Sequence, residues 1–240
     1  MLKNLSQRST EQELMDDPRV DSATLREVLK DINRSNAMLN GNGITLNALE
    51  KLIKGHSKDQ YTIVDMGCGD GTMLKEIALL LRHKKINARL IGVDLNEKSI
   101  AIAQEHTKAF PEISFLQQDI LDLQASDLKC DILVCTLTMH HFKDKEIPIF
   151  LGQFVKLASI GVIINDLQRS RIAYYLFKCF SLIFIRTKIA KNDGLVSIMS
   201  GFFKSELLAF AKQLPKQKHK IKWKWAFRYV WIIQQPSIKQ

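Results

Sequence analysis

Along residues 1–56 the apolar positions return every three or four residues. Leu25, Val28, Leu29 and Ile32 share one helical face, and Leu46, Leu49 and Ile53 share another. The run Thr10–Glu13 has the spacing of a capping box, so a helix is expected to start there. Gly41 reads as a stop, Thr45 as the cap of a second helix and Gly55 as its end. From Tyr61 the period changes. "YTIVDMG", "ARLIGVDL", "ISFLQQD", "CDILVCTL" and "GVIINDL" are short apolar runs. Helical stretches over 73–81, 99–106 and 147–158 lie between them. Strands alternating with helices predict βαβ units and a doubly wound parallel sheet covered on both faces.

The pattern breaks again after the fifth strand. Residues 169–200 are basic, aromatic and helical in period, and 203–214 read as one more helix. In "KHKIKWKWAFRYVWII" the residues Ile221, Trp223, Trp225, Phe227, Tyr229 and Trp231 alternate with Lys220, Lys222, Lys224 and Arg228. That is a strand period, and two antiparallel strands are expected, with the basic residues on the other face. The reading is a single domain in four segments: an N-terminal helical cap (1–56), a core (57–168), an inserted helical lid (169–202), and a final helix with a C-terminal β-hairpin (203–240).

Composition narrows the class. A chain of 240 residues with 46% apolar and 25% charged residues can bury a full α/β core. The four cysteines form no CxxC pair, which speaks against structural zinc and disulfides. The opening "MLKNLSQRSTEQELMDD" has no apolar leader, and the apolar run Ile172–Ile185 is too short to span a bilayer, so a cytoplasmic protein is expected. The net charge of +10 arises entirely from residue 168 onward, where 15 Lys and Arg face 2 acids. Such a surface suits anionic lipid, an acidic substrate or RNA, or simply keeps the protein soluble.

The chemistry concentrates in Ile63–Gly71, "IVDMGCGDG". Glycines between a first strand and its helix let backbone N–H groups approach a ligand closely. The spacing is GxGxG rather than the GxGxxG of dinucleotide sites, and Asp65 would repel a pyrophosphate. A cationic ligand would welcome it. Asp94 closes the second strand, where a carboxylate suits a ribose diol, and Asp119 follows the third, within reach of an exocyclic adenine amine. Acid, glycines, ribose carboxylate and adenine acid together describe an adenosine with a positively charged amino-acid tail.

At these residues, over about 61–166, the chain resembles the class I S-adenosylmethionine-dependent methyltransferases. The resemblance implies a Rossmann-like seven-stranded sheet ending in an antiparallel hairpin, S-adenosylmethionine as cofactor and S-adenosylhomocysteine as product. It places Asp65 near the methionine amine, Gly67, Cys68 and Gly69 against the ligand, Asp94 and Leu95 at the ribose, Asp119 and Ile120 at adenine, and Thr136 beside them. His140 and His141, at the end of the fourth strand, are the candidate bases, with His140 placed first. Neither [DN]PP[YF] nor Pro-Cys occurs here, which removes adenine-N6, glutamine-amide and cytosine-C5 acceptors. An apolar lid instead implies a small hydrophobic acceptor, aromatic or quinone- or polyketide-like, methylated on oxygen or carbon. Asp166 and Arg169 could orient it, or could pair with each other to anchor the lid. An RNA methyltransferase and a non-catalytic cofactor-binding or membrane-surface protein are the alternatives. No metal site and no nucleic-acid partner are expected; peripheral membrane contact through the lid is kept open.

Overall fold

The computed structural model describes residues 4–123 and 128–236. Seven strands form one sheet: β1 (Tyr61–Met66), β2 (Ala88–Asp94), β3 (Ile113–Gln117), β4 (Cys130–Thr136), β5 (Ala158–Leu167), β6 (Lys218–Lys224) and β7 (Arg228–Gln234). Their order is β3-β2-β1-β4-β5-β7-β6. The first five are parallel, and β7 enters antiparallel between β5 and β6. Strand order reverses between β1 and β4, so the crevice outside their carboxyl ends is the topological place for a ligand.

The helices are α1 (Ser22–Met38), α2 (Gly41–Lys54), α3 (Thr72–His83), α4 (Glu97–His106), α5 (Ile147–Leu157), α6 (Arg171–Phe184), α7 (Lys188–Ser200) and α8 (Lys204–Ala211). Two cores result. On one face Leu49, Leu52, Leu74 and Ile77 of α2 and α3 meet Ile63, Leu90 and Ile132 of the sheet. On the other, Phe150 and Phe154 of α5 and Leu207 of α8 meet Val64, Leu133 and Trp231. Burial on both faces explains why the central strands are continuous apolar runs. Helix α7 packs on both α1 and α6. Among the described residues no helix is long and apolar enough to cross a membrane.

Three sequence expectations fail at the N-terminus. The capping box at Thr10–Glu13 caps nothing: a short 3₁₀ turn at Leu14–Asp16 follows, and α1 is capped by Asp21, which accepts from Ala23 N and Thr24 N at 3.0 Å. The Glu13 carboxylate is turned inward instead, where His140 and Ser197 hold it. Gly41 begins α2 rather than ending α1, because Asn40 makes the left-handed turn (φ 52°). Thr45 lies inside α2, with its hydroxyl 3.0 Å from that of Thr136. Gly55 does close the helix.

The hairpin pairs Ile221 with Trp231 and Trp223 with Tyr229, so the aromatic face is shared by both strands as the alternation required. Its polar face divides. Lys218, Lys220 and Lys222 on edge strand β6 are exposed, whereas Arg228 on β7, flanked by β5 and β6, is buried.

Candidate functional site

Asp65 is the penultimate residue of β1, with both neighbouring strands alongside, and it is 2% exposed. Its Oδ1 has no hydrogen-bond partner among the described residues. Burial pushes the carboxyl well above its ordinary range, and the nearby charge of Asp94 adds to the effect. Gly67, Gly69 and Gly71 follow with φ of 74°, 52° and 73°, in the left-handed region that favours glycine. A Cβ on Gly67 would sit 2.4 Å from the Thr138 side chain, so the loop must be bare there for the chain after β4 to approach. Over Gly69 a Cβ would meet nothing nearer than Leu29 at 3.8 Å, because this glycine borders open cavity.

Asp94 ends β2 beside this loop. Gly69 N donates to its Oδ2 at 2.8 Å and Asn96 N to its Oδ1 at 2.9 Å. Burial raises its carboxyl, while those two bonds pull it back. Leu95 is 64% exposed, and Asn96 caps α4. Asp119 accepts from Leu121 N at 2.8 Å, capping the 3₁₀ turn that carries Ile120. Thr136 ends β4, and Asn165 of β5 ties it to α2 by donating to Thr45 Oγ1 (3.0 Å) and Gly41 O (2.9 Å). Asp65, Gly67, Cys68, Gly69, Asp94, Leu95, Asp119, Ile120 and Thr136 all border one cavity of about 1140 Å³.

The cavity runs on past these residues under a roof of Leu29 and Ile32 from α1, Leu176, Phe177 and Phe180 from α6, and Ala190 from α7. Its wall carries a charged cluster. His140 Nδ1 lies 2.7 Å from Asp166 Oδ1, His140 N donates to Asp166 Oδ2 at 3.1 Å, and His140 Nε2 lies 3.4 Å from Glu13 Oε1. Burial draws this imidazole down, but Asp166 and Glu13 outweigh it and push His140 up to about 10. The two carboxylates therefore favour the protonated imidazole of His140. Glu13 and Asp166 are both raised by burial, yet bonding to His140 keeps each below its ordinary range.

His141 stacks on His140 with ring centroids 4.5 Å apart and stands more open, with Asp16 Oδ2 3.3 Å from its Nδ1. Glu13, His140 and His141 bring ligand-type atoms within 4.8 Å of one another, a grouping that could hold a metal ion. Sequence spacing could not show it, since 127 residues separate Glu13 from His140.

Asp166 and Arg169 do not pair with each other. Asp166 is occupied by His140. Arg169 is fully buried, with Nη2 2.5 Å from Glu206 Oε1 on α8 and with Nε and Nη1 donating to Leu5 O (3.0 Å) and Gly201 O (2.6 Å). It fastens the start of the lid to α8 and the N-terminal segment, and it does not border the cavity. The sequence reading missed Glu13, Asn33, Asn36, Asp193 and Arg228, all of which border it. Only Arg228 gave a signal, as the one cation of β7, and its strand parity placed it on the face of the lysines.

Residues 63–161 match the family model described as "Methyltransferase domain". The chain is 28% identical over 123 residues to the Bacillus subtilis (strain 168) protein YqeM, named as a methyltransferase, a match covering 50% of this chain and 47% of that one. It is 35% identical over 85 residues to carboxy-S-adenosyl-L-methionine synthase of Nautilia profundicola, covering 35% of each. The chain thus spans less than half the length of either relative. The plantazolicin methyltransferase BpumL, solved in complex with SAH, superposes with a TM-score of 0.68 at 18% identity, over 92% of each chain. At that identity the likeness is one of fold.

Proposed function

We propose, on the premise that this chain carries a class I S-adenosylmethionine-dependent methyltransferase domain, that it methylates a small hydrophobic acceptor held under α6 and α7. The observation that carries the reading is Asp65: a buried carboxyl with an unsatisfied oxygen, on a residue that borders the cavity beside left-handed glycines. A group that answers it must bring a donor, and a cation answers best because it also restores the ionised form. The ammonium of S-adenosylmethionine fits, and the glycine backbone leaves room beside it. The sulfonium supplies an electrophilic methyl group when bound.

This chain's own residues do the rest. Asp94 spends one lone pair of each oxygen on Gly69 N and Asn96 N, and a carboxylate has capacity left for two ribose hydroxyls. Asp119 and Ile120 take the adenine end. The apolar roof excludes water and aligns the acceptor, and alignment supplies much of the catalysis for an in-line displacement. For a hydroxyl acceptor the base is His141, which is open to the cavity. His140 positions it: an imidazolium clamped between Asp166 and Glu13 fixes the loop on which both stand.

The reading is tested by calorimetric titration with S-adenosylhomocysteine, with NAD as control. Saturable binding of the first alone supports it. Binding of NAD alone, or of neither, defeats it.

A second reading concerns where the acceptor is met. On α6, Ile172, Leu182 and Ile183 are 65%, 70% and 77% exposed, with Arg171, Lys178 and Arg186 nearby, and Trp225 at the hairpin turn is 63% exposed. Exposed apolar side chains among cations suit an anionic membrane surface, from which a lipid-borne acceptor would reach the roof. Co-sedimentation with vesicles containing phosphatidylglycerol, absent with phosphatidylcholine alone and lost in Leu182→Glu/Ile183→Glu, supports it; equal recovery from both vesicles refutes it.

A further inference from the structure

Arg228 opens β7 opposite Leu167 and is 3% exposed. Its guanidinium lies against Gly41 so closely that a Cβ there would be 2.9 Å from Cζ, 3.0 Å from Nη2 and 3.1 Å from Nη1. One donor is used: Nη2 reaches Asn36 Oδ1 at 2.6 Å. Nε and Nη1 have no partner among the described residues, and no described carboxylate lies within ion-pair distance. The charge of Asp166 acts on it from farther away, but that carboxylate is committed to His140 and Leu167 N. Burial draws the guanidinium down only to about 10, so it is a cation at neutral pH.

A desolvated arginine with idle donors is costly, and the fold has gone out of its way to keep one. A bare glycine makes room for it and an asparagine holds its orientation. Arg228 also borders the cavity, together with Asn36, Leu167 and Phe227.

We infer that Arg228, seated on Gly41 and steadied by Asn36, binds a carboxylate of the acceptor, so that the substrate is an apolar acid. This rests on the reading of the cavity as an acceptor pocket. One buried cation calls for one negative charge. A phosphate dianion would leave an excess beside Glu13 and Asp166, whereas a carboxylate neutralises Arg228 and accepts from the idle donors through charge-assisted bonds. The apolar roof then takes the remainder of the molecule.

The experiment titrates protein saturated with S-adenosylhomocysteine with 2-naphthoate and with its uncharged counterpart 2-naphthamide. The expected result is at least tenfold tighter binding of the naphthoate. That preference vanishes in Arg228→Gln and survives in part in Arg228→Lys, which keeps the charge should the glutamine variant fold poorly. Equal affinities in the wild type, or a preference unchanged in Arg228→Gln, overturn the inference. So does an Arg228→Gln variant that loses S-adenosylhomocysteine while keeping 5′-methylthioadenosine, because Arg228 would then hold the cofactor's own carboxylate. Failure of the wild type to bind S-adenosylhomocysteine defeats the cofactor reading instead. The naphthoate titration of the unliganded protein still decides the role of Arg228.

Discussion

Replacing Asp65 by asparagine separates two quantities that usually move together, stability and ligand affinity. In the free protein Asp65 is a buried carboxyl with an unpaired oxygen, raised well above its ordinary value first by burial and then by Asp94. A raised native value means that the folded state holds the proton more tightly than the unfolded one. The carboxyl is therefore least costly to folding below about 3.8, the ordinary value, and stability declines as pH rises through the native value. The asparagine side chain removes the charge at nearly constant shape. The free Asp65→Asn variant should be more stable than wild type at pH 7 by about 1 kcal/mol or more, raising Tm by roughly 2–4 °C for a chain of this size.

Ligand binding should move the other way. Removing one partner of a buried charge pair costs about 3–5 kcal/mol, and the lower end applies because the amide still offers an acceptor. At about 1.4 kcal/mol per decade, Kd for S-adenosylhomocysteine should rise at least about a hundredfold. Ligand at a hundred times the wild-type Kd stabilises wild type by about 2.7 kcal/mol and the variant by only about 0.4 kcal/mol. Thermal denaturation with and without ligand reads both effects in one plate. A variant that loses stability when free, or that keeps the full ligand-induced shift, refutes the argument from Asp65.

Three further outcomes are expected. Gly67→Ala places a Cβ 2.4 Å from Thr138 at φ 74°, and should cost about 1–3 kcal/mol of stability by denaturant titration, with weaker S-adenosylhomocysteine binding. His140, raised to about 10, contributes stability that is fully present below the ordinary value of 6.5 and lost as pH rises towards 10; His140→Gln should flatten the pH–stability curve across that window. Arg169→Met strands Glu206 and abandons two carbonyls, so the protein should lose about 3–5 kcal/mol of stability, while the folded fraction keeps its affinity for 2-naphthoate.

What could be read in the sequence was whatever depends on local order. The strand–glycine–helix run of Ile63–Gly71 and the acids closing β2 and following β3 are set by neighbours along the chain, so periodicity and spacing located them. The same holds for the aromatic alternation of β6 and β7. What depended on the third dimension was not legible. Glu13 looks like a capping residue until His140 is seen across 127 positions. Arg169 lies two residues before an apolar helix and suggests a substrate contact, but Glu206 claims it from α8. Arg228 has the parity of Lys220, Lys222 and Lys224, yet Gly41 of α2 and Asn36 of α1 pack over it and keep solvent away. Burial of a single polar residue depends on what packs over the sheet, which no window of a dozen residues contains.

Helix α7 is fastened before its first turn and again midway by carboxylate bonds to other parts of the chain. Asp31 of α1 accepts from Arg186 N and Thr187 N at 2.9 and 2.7 Å, and Asp193 accepts from Leu14 N and Met15 N at 2.8 and 2.9 Å. The N-terminal segment, α1 and α7 are thereby riveted into one frame, and a frame does not swing. Helix α6 lies against this frame through α7, with Leu182 and Ile183 standing out in solvent on its far side.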